Sequence, residues 1–335
     1  MSYDYEVVIV GGGSAGLAAA LALGRARRSV LVIDSGTPRN APATHVHNYL
    51  GRESTPPSEL IAIGREEVAT YGGQFASGTV SSARAVNADG AGFEVALTDG
   101  QAVSARRLLV TTGLADELPG VPGVAERWGR DVLHCPYCHG WEVRDQRIGV
   151  LASGPLSVHQ ALLFRQWSSD VTLLLHTAPP LTDVEHEQLA ARGIGIVEGS
   201  VAGLEVERDQ LVGARLDSGA LVPLQALVVA PFFRARTEVL EPLGLTTTEM
   251  CVGERVFATY VESDAHGATA VPGVWVAGNV ADPRAQVITA AAAGLTAAAA
   301  INADLVQEDT ALAVARMSDR QTAETLVTAG GSTPG

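Results

Sequence analysis

The most chemically distinctive stretch lies at residues 134–139 and has the sequence His-Cys-Pro-Tyr-Cys-His. Two cysteines at Cys-x-x-Cys spacing can close a small disulfide ring, and the intervening proline restrains the backbone so that both sulfurs stay on one side of a turn. One thiol of such a pair commonly has a pKa well below the free value of about 8.5, which gives the thiolate that attacks disulfides. Cys135 and Cys138 are therefore interpreted as a redox dithiol.

A metal site is the rival interpretation of the same stretch, because two histidines flank the two cysteines. Structural zinc sites usually recruit a second ligand pair far along the chain, and Cys251, the third cysteine, does not supply one. Neighbouring His and Cys side chains also point in different directions. No metal is predicted, and Cys251 is expected to be an inert buried or surface thiol.

A dinucleotide-binding pattern opens the chain. A buried strand at residues 6–10 leads into Gly-Gly-Gly-Ser-Ala-Gly at residues 11–16, followed by a helix and by a second strand that ends at Asp34. The glycines permit a tight turn and close approach of a pyrophosphate to the helix N-terminus, while the acidic residue accepts from ribose hydroxyls. The predicted cofactor-binding residues here are Gly11, Gly13, Ser14, Ala15, Gly16 and Asp34.

A second strand-turn-helix-strand unit follows the cysteines, at residues 147–175, but its turn is altered. Ala152 stands at the first glycine position and Ser157 at the third. The two units together predict an α/β protein with two Rossmann-like, three-layer dinucleotide-binding domains. An alanine-rich helix is expected at residues 286–302, then a polar tail from residue 307 whose end at 329–335 is disordered. Trp141 and Phe233 are interpreted as core or interface aromatics.

Composition limits the partners. The formal charge of −14, from 23 basic and 37 acidic residues, argues against nucleic acid or an anionic membrane as the main partner. The N-terminus does not have the pattern of a signal peptide, and the apolar run at 287–301 is too short to span a bilayer. The chain is expected to be a cytoplasmic enzyme.

These motifs together resemble the low-molecular-weight thioredoxin reductase family. The resemblance rests on the Gly11–Gly16 turn, Thr-Thr-Gly at 111–113, Cys-Pro-Tyr-Cys at 135–138, and Gly-Asn-Val-Ala-Asp at 278–282. It implies an FAD domain split between 1–116 and 246–306, an inserted NAD(P)-binding-like domain at 117–245, a flexible tail at 307–335, and a homodimer. Further FAD contacts are expected from Asn48, Thr112, Gly113, Gly278, Asn279, Gln286 and Val287.

The resemblance also assigns roles at the cysteines. Cys138 is expected to face the flavin and Cys135 to exchange with substrate, while His139 takes the place of the aspartate that usually follows the second cysteine. An imidazole with a pKa of about 6.5 suits proton transfer to and from a thiol at neutral pH. The loop at residues 45–49 is either the substrate entrance or a structural cover of the flavin edge.

Three departures from the family pattern matter, two for NADPH and one, at Asn279, for FAD. The second nucleotide turn has Ala152, the strand that should end in a phosphate-binding His-Arg-Arg continues as His-Thr-Ala at 176–178, and Asn279 replaces an aspartate. Arginine forks bind phosphate and threonine and alanine cannot replace them, so NADPH is doubtful, whereas FAD binding should survive.

The same departures fit one branch of the superfamily, the dithiol oxidases of disulfide natural products such as gliotoxin, holomycin and romidepsin. The Cys-Pro-aromatic-Cys motif of this chain also resembles the motif of that branch. That branch implies oxidation of a small-molecule dithiol with O2 as acceptor. Two alternatives remain open at this point. One is a reductase of a thioredoxin-like protein that uses NAD(P)H or another donor, and the other is a flavin-bearing redox sensor.

Overall fold

The structure is a computed structural model that describes residues 3–86 and 92–330, with the backbone alone for 319–330. The expected disorder at the chain end therefore lies largely outside the described residues. The strands of the described ranges are β1 (Tyr5–Val10), β2 (Val30–Asp34), β3 (Gln74–Ser77), β4 (Val80–Ala85), β5 (Phe93–Leu97), β6 (Ala102–Val110), β7 (Leu114–Glu117), β8 (Val132–Leu133), β9 (Ile148–Leu151), β10 (Val171–Leu174), β11 (Gly195–Val197), β12 (Val201–Glu207), β13 (Gln210–Leu216), β14 (Leu221–Pro223), β15 (Ala226–Val228), β16 (Phe232–Ala235), β17 (Thr247–Val252), β18 (Arg255–Val261) and β19 (Val274–Val276). The helices are α1 (Ser14–Arg25), α2 (Pro57–Thr70), α3 (Val124–Arg127), α4 (Pro136–His139), α5 (Ser157–Phe164), α6 (Asp183–Ala191) and α7 (Val287–Gly330).

The first sheet is built from both ends of the described chain. Its strand order is β3-β2-β1-β6-β5-β4, and β19 pairs in parallel with β6. Strands β1, β2 and β3 are parallel to one another, and the apolar runs of β1 and β2 are buried on both faces, as parallel sheets require. Because α1 starts directly after β1, its N-terminus lies at the carboxyl edge of this sheet, where ligands of α/β folds bind.

The second sheet is entirely parallel, with the order β11-β10-β9-β15-β8. A meander of β12, β13 and β14 is inserted before β15. The carboxyl end of β8 leads into the cysteines, and that of β9 leads into the turn before α5. The predicted pair of Rossmann-like α/β units is confirmed, and the second sheet carries the Cys-x-x-Cys at its edge.

The two chain segments that connect the first and second sheets pair with each other. Strand β7, which leaves the first sheet, pairs antiparallel with β16, which returns from the second, and β18 and β17 extend this small sheet. The Thr112 hydroxyl donates to the carbonyl of Arg236 at 2.6 Å, and the Arg236 amide donates to the carbonyl of Gly113 at 3.1 Å. These bonds fix where the cysteine-bearing unit lies against the first sheet.

Helix α7 is longer than predicted. The sequence pattern predicts that it ends near residue 302 and that a flexible polar tail follows from 307, but the helix continues to Gly330. Residues 303–329 contain neither proline nor glycine, so no helix breaker interrupts them. Asp304, Glu308 and Asp309 also form ion pairs with arginines of the first unit, which hold this part of the helix against the fold.

Within the described residues, the Val287–Ser318 part of α7 is long and apolar enough to cross a membrane by length and composition alone, so the expectation that the run is too short was wrong. Its packing indicates a helix of the fold. A Cβ on Gly294 would lie 2.0 Å from the carbonyl oxygen of Ala15, so α7 packs backbone against backbone on α1. Ala297, Ala298, Ile301 and Leu305 are buried in the same cluster.

Candidate active site

A cavity of about 780 Å³ connects the glycine-rich turn of the first sheet to the cysteines of the second. A volume of this size is in the range of pockets that hold organic cofactors and substrates. Most of the predicted cofactor-binding residues line it: Gly11, Gly13, Ser14, Ala15, Asp34, Thr112, Gly113, Gly278, Asn279, Gln286 and Val287. The same walls contain Cys135, Cys138 and His139, so the structure brings both predicted sites into one space.

The glycine-rich turn has the form that a dinucleotide needs. The Gly12 amide donates to Asp34 Oδ1 at 3.1 Å, and a Cβ on Gly12 would lie 2.8 Å from the Asp34 carboxyl carbon. A Cβ on Gly11 would lie 2.5 Å from the carbonyl oxygen of Thr111. Around Gly13, by contrast, no protein atom beyond its chain neighbours lies within 4 Å of a Cβ position, and Gly13 lines the cavity. These residues fit an FAD whose pyrophosphate lies beside the turn.

Two predicted cofactor-binding residues lie outside the cavity walls. Gly16 lies within α1, where a Cβ would be 1.9 Å from the carbonyl oxygen of Gly11, so this glycine is required by packing inside the turn. Asn48 has a positive φ of 60°, and its side-chain amide donates to the carbonyl oxygen of Tyr137 at 2.6 Å. Asn48 therefore fastens the 45–49 loop to the cysteine helix, and cofactor contact by either residue stays a prediction.

Asn279 lines the cavity but uses its side chain on the protein itself. Its Nδ2 donates to the carbonyl oxygens of Asp282 at 3.0 Å and Ala285 at 2.9 Å. Its Oδ1 accepts a long hydrogen bond of 3.4 Å from Arg39 Nη1. Asn279 thereby shapes the turn that leads into α7, and a direct contact with FAD remains a prediction.

The cysteines are joined in a disulfide, with their Cα atoms 5.2 Å apart. Cys135 is the N-cap of the short helix α4, and its sulfur accepts a hydrogen bond from the Cys138 amide at 3.2 Å. Pro136 occupies the first helical position, where its missing N–H costs nothing. An amide donor at the sulfur of Cys135 favours its thiolate once the disulfide is reduced.

His139 lies at the end of α4, half-buried in the cavity wall. Burial lowers the pKa of its imidazole below the ordinary value of about 6.5. The charge of Glu142 acts in the opposite direction and raises the pKa, while His47 lowers it. His139 is therefore a neutral base at pH 7, which is the form that can accept a proton from a thiol.

The 45–49 loop reaches the same region. His47 Nδ1 is 2.6 Å from Glu53 Oε1, and His47 Nε2 is 3.5 Å from Glu142 Oε1. The hydrogen bond from His47 lowers the pKa of Glu53. Since Glu142 follows the cysteine helix, His47 joins the loop to the second unit, and both His45 and His47 line the cavity.

The site also contains residues whose role there the sequence did not indicate. His134 packs edge-to-face on Phe233, with ring centroids 4.9 Å apart, and the Arg39 guanidinium lies 5.2 Å from the same ring. Arg39 also forms a two-point ion pair with Asp116. Burial lowers the pKa of His134, and the charge of Arg39 lowers it further. No sequence motif identifies this group, because its members come from four separate segments.

The two aromatic predictions had different outcomes. Phe233 is buried, as expected for a core aromatic, but it also lines the cavity. Trp141 is 65% exposed, so it is not a core residue, and its alternative role as an interface aromatic stays a prediction. The third cysteine, Cys251, is exposed and free, and it lies outside the cavity walls.

The altered turn of the second unit is closed by its own side chain. The Ser157 hydroxyl donates to the carbonyl of Gly154 at 2.7 Å and accepts from the Gly154 amide at 3.3 Å. Ala152 is buried. At the end of β10, His176 uses Nδ1 to accept from the Val201 amide at 3.0 Å, and no arginine follows it. The Gly154 amide of this turn is thus already paired, and the end of β10 lacks the arginine fork that would bind a 2′-phosphate.

Comparison with known proteins identifies the family. Residues 5–294 match the family described as pyridine nucleotide-disulphide oxidoreductase. The chain is 30% identical to thioredoxin reductase sirT of Leptosphaeria maculans over 92% of this chain and 96% of that protein. It is 39% identical to thioredoxin reductase tcpT of Claviceps purpurea over 47% of this chain and 50% of that protein.

Among solved structures, that of HlmI superposes with a TM-score of 0.88 at 45% identity, covering 96% of this chain and 99% of HlmI. These matches and the cavity geometry agree, since the family implies FAD and the residues of the glycine-rich turn fit it. The chain therefore belongs to the pyridine nucleotide-disulphide oxidoreductase family and is a thioredoxin reductase-like flavoenzyme that acts on thiols and disulfides.

Proposed function

We propose that this enzyme oxidises a small-molecule dithiol to an intramolecular disulfide, with O2 as the final acceptor and hydrogen peroxide as the second product. The observation that carries the proposal is the closed nucleotide turn at Gly154 and Ser157, beside a disulfide that opens into the cavity. NADPH is a poor electron donor for such a site, because no arginine follows His176 at the end of β10 to hold its 2′-phosphate. Electrons then enter through Cys135 and Cys138.

Cys135, Cys138 and His139 have different roles in the proposed reaction. A substrate thiolate attacks Cys135, which breaks the Cys135–Cys138 bond and forms a mixed disulfide with release of the Cys138 thiolate. The second substrate thiolate then attacks the substrate sulfur of the mixed disulfide, so the product disulfide leaves and Cys135 becomes a thiolate. Neutral His139 accepts a thiol proton during these exchanges, and its lowered pKa keeps it neutral at pH 7.

The glycine-rich turn, the end of β2 and the start of α7 would hold FAD. When bound, it supplies a two-electron acceptor for the reduced cysteines that returns the electrons to O2. Overall, one dithiol loses two electrons and two protons, and O2 gains both to become hydrogen peroxide. The Gly12–Asp34 hydrogen bond and the open space at Gly13 support this placement and would position the group.

A second candidate is reduction of a protein disulfide, such as that of a thioredoxin-like protein. It is favoured by the names of the relatives, which are thioredoxin reductases. It also agrees with Tyr137, which is 57% exposed between the cysteines and could contact a protein partner. This function requires an external electron donor and reverses the direction of electron flow.

Parallel anaerobic titrations of the holoenzyme separate the two functions. NADPH, NADH and reduced 1,4-dithiothreitol are each added to the oxidised enzyme, and loss of the flavin absorbance is followed. The oxidase proposal expects rapid bleaching by the dithiol alone, with continuous peroxide formation once air is admitted. Rapid bleaching by NADPH, with slow or no bleaching by the dithiol, would overturn it. A single stoichiometric reduction without turnover in air would instead indicate a redox sensor.

A further inference from the structure

Arg236 is the one half-buried arginine that the described part of the chain leaves without a side-chain partner. Its guanidinium forms no hydrogen bond, ion pair or ring contact with the described residues. Every other buried or half-buried arginine among them contacts a carboxylate or a carbonyl oxygen, as Arg107 does with Asp304. A cation that is partly removed from water without a partner is unfavourable, which makes Arg236 a candidate ligand-binding residue.

The backbone of Arg236 is fixed beside the first sheet. The residue directly follows β16, whose pairing with β7 sets Ala235 opposite Leu114. Its amide donates to the carbonyl of Gly113 at 3.1 Å, and its carbonyl accepts from the Thr112 hydroxyl at 2.6 Å. Thr112 and Gly113 follow β6, which pairs with β1 next to the glycine-rich turn. Arg236 therefore lies beside residues that are expected to contact FAD.

The wall that contains Arg236 belongs to the first-sheet part of the cavity. Val239, three residues later, is buried in the same core cluster as Val80 and Val110. Arg236, Val239, Val80 and Asp34 all line the cavity, whereas the cysteines line it from α4 in the second unit. Asp34 is the residue predicted to accept from the ribose of a dinucleotide. The adenosine diphosphate half of FAD would therefore lie at the Arg236 part of the wall.

The diphosphate of FAD would bring negative charge to the glycine-rich turn, which has no basic side chain of its own. Residues 11–16 are glycine, serine and alanine, so they offer backbone amides and the positive end of the α1 dipole. Arg39, the other half-buried arginine of the cavity wall, is already paired with Asp116. Among the described residues, Arg236 is thus the half-buried arginine of the wall that is free to bind phosphate.

We propose that Arg236 binds the diphosphate of FAD and supplements the glycine-rich turn with a positive charge. A guanidinium presents several N–H donors in a fixed fork, which matches the oxygens of a phosphate group better than a lysine ammonium does. Partial burial strengthens the attraction, because charges that are partly removed from water are less screened. The inference goes beyond the proposed function, since it holds for either direction of electron flow through the cysteines.

FAD bound by Arg236 would also be tied to the segment that returns from the second sheet. On one side of Arg236, β16 is paired with β7. On the other side, the carbonyl of Thr237 accepts from the amides of Leu240 at 2.7 Å and Glu241 at 3.1 Å. The backbone is thus held in place, so the side chain alone has to turn to meet a phosphate. A ligand that binds the folded state stabilises it, so FAD should stabilise this segment.

The test measures the FAD affinity of the apoprotein by the change in flavin fluorescence. Arg236→Met keeps much of the side-chain length and removes the charge, and we expect it to bind FAD about tenfold or more weakly. Arg236→Lys keeps the charge without the fork, so its affinity should lie between those of Arg236→Met and the original enzyme. Arg234→Met is the matched control, because Arg234 is exposed, pairs with Glu117 and lies outside the cavity walls. Its FAD affinity should stay within about twofold of the original.

Two further measurements connect the effect to the phosphates. ADP, which contains the diphosphate without the flavin, is titrated calorimetrically into the apoprotein, and its binding should weaken in Arg236→Met but not in Arg234→Met. FAD affinity is also compared at low and at high sodium chloride concentration. The original enzyme should lose more affinity with salt than Arg236→Met does, because salt screens an ion pair with the cofactor. The melting temperature of the apoprotein should not fall in Arg236→Met, since the guanidinium has no protein partner to lose among the described residues.

Unchanged binding of FAD or of ADP by Arg236→Met would overturn the proposal. Equal losses in Arg236→Met and Arg234→Met, an Arg236→Lys variant as weak as Arg236→Met, or the same salt dependence with and without the guanidinium would each contradict it. A clear drop in the apoprotein melting temperature of Arg236→Met would show that the guanidinium serves the fold. If KM for the dithiol rises while FAD affinity stays constant, Arg236 binds an anionic group of the substrate and the proposal is wrong.

Discussion

Arg39 and Asp116 form a two-point ion pair, with Nε to Oδ2 at 2.7 Å and Nη2 to Oδ1 at 2.6 Å. Asp116 belongs to β7, the strand that leaves the first sheet, and its side chain is only 8% exposed. Arg39 also approaches Asn279 and the ring of Phe233. The Arg39 guanidinium thus contacts the turn at Asn279, strand β7 at Asp116, and the Phe233 ring beside His134.

Asp116→Asn should therefore destabilise the enzyme and loosen FAD. It removes the charge that Arg39 pairs with, and hydrogen bonds to charged groups contribute about 1.5–3 kcal/mol when partly buried. Thermal unfolding and flavin retention on gel filtration are the measurements. Arg84 and Glu94 form a similar two-contact pair on the surface, so Glu94→Gln is the control and should cost about 0–1 kcal/mol. Equal losses in both variants would contradict the linking role of Arg39.

Gly13→Ala and Gly16→Ala should impair the enzyme in different ways, the first through FAD binding and the second through folding. Beyond its chain neighbours, no protein atom lies within 4 Å of a Cβ on Gly13, so the alanine variant should fold normally but bind FAD roughly tenfold or more weakly. A Cβ on Gly16 would clash with Gly11 at 1.9 Å, so that variant should lose folding yield and thermal stability.

The measurements for these glycines are apoprotein melting temperature and FAD affinity by fluorescence. Gly120→Ala is the control, because its Cβ position is open and outside the cavity. Unchanged FAD affinity in Gly13→Ala would show that no pyrophosphate approaches the turn there.

Cys138→Ser should trap the substrate on Cys135. The serine cannot reform the internal disulfide, so attack by Cys135 on an oxidised substrate leaves a mixed disulfide that mass spectrometry detects as one added substrate mass. Cys135→Ser should give much less adduct, because the Cys135 sulfur is the one that accepts the Cys138 amide. Cys251→Ser is the control and should keep full turnover, since Cys251 is outside the cavity. Full turnover in Cys138→Ser would refute the scheme.

Activity should depend on a neutral His139. Because burial lowers the pKa of His139, activity should persist below pH 6.5 and fall only as the pH drops through the lowered value. Glu142→Gln removes the charge that raises this pKa, so the acid limb of the kcat profile should move to still lower pH. His139→Asn should lose about a hundredfold in kcat. Glu67→Gln, exposed on α2, is the control. An acid limb that stays in place in Glu142→Gln and His139→Asn would exclude His139 as its source.

Helix α7 should contribute to the free energy of unfolding only up to Asp309, the last described residue that forms an ion pair with the first unit. Arg106 Nη2 lies 2.6 Å from Asp309 Oδ1, and Arg28 Nη1 lies 2.9 Å from Asp309 Oδ2, with both arginines largely buried. Ending the chain after residue 311 should therefore leave the melting temperature nearly unchanged. Ending it after 303 removes Asp304, Glu308 and Asp309, so Arg107 loses both of its carboxylate partners while Arg28 and Arg106 keep only Glu6. This should cost about 3 kcal/mol or more. Equal stability of the two truncated chains would show that the pairs contribute nothing.

The sequence by itself determined the local chemistry. The glycine-rich turn between β1 and α1 and the Cys-Pro-Tyr-Cys helix depend on residues within a few positions of each other. The position of Gly12 against Asp34 also follows from a short strand-helix-strand unit. Such patterns predict structure well because their geometry is imposed by the backbone and by neighbouring side chains.

The tertiary structure alone decided how these parts meet. Arg39 and Asp116 are 77 residues apart, and Arg107 and Asp304 are 197 apart, so no local pattern marks either pair. The same holds for Arg236, whose unpaired guanidinium reaches the cavity wall only because β16 pairs with β7 and sets residue 236 beside Gly113. The length of α7 was misjudged for this reason too, since its polar residues look like a tail until the arginines of the first unit are placed beside them. Partners chosen by packing over long sequence distances are set by the fold as a whole, and the sequence does not show them in advance.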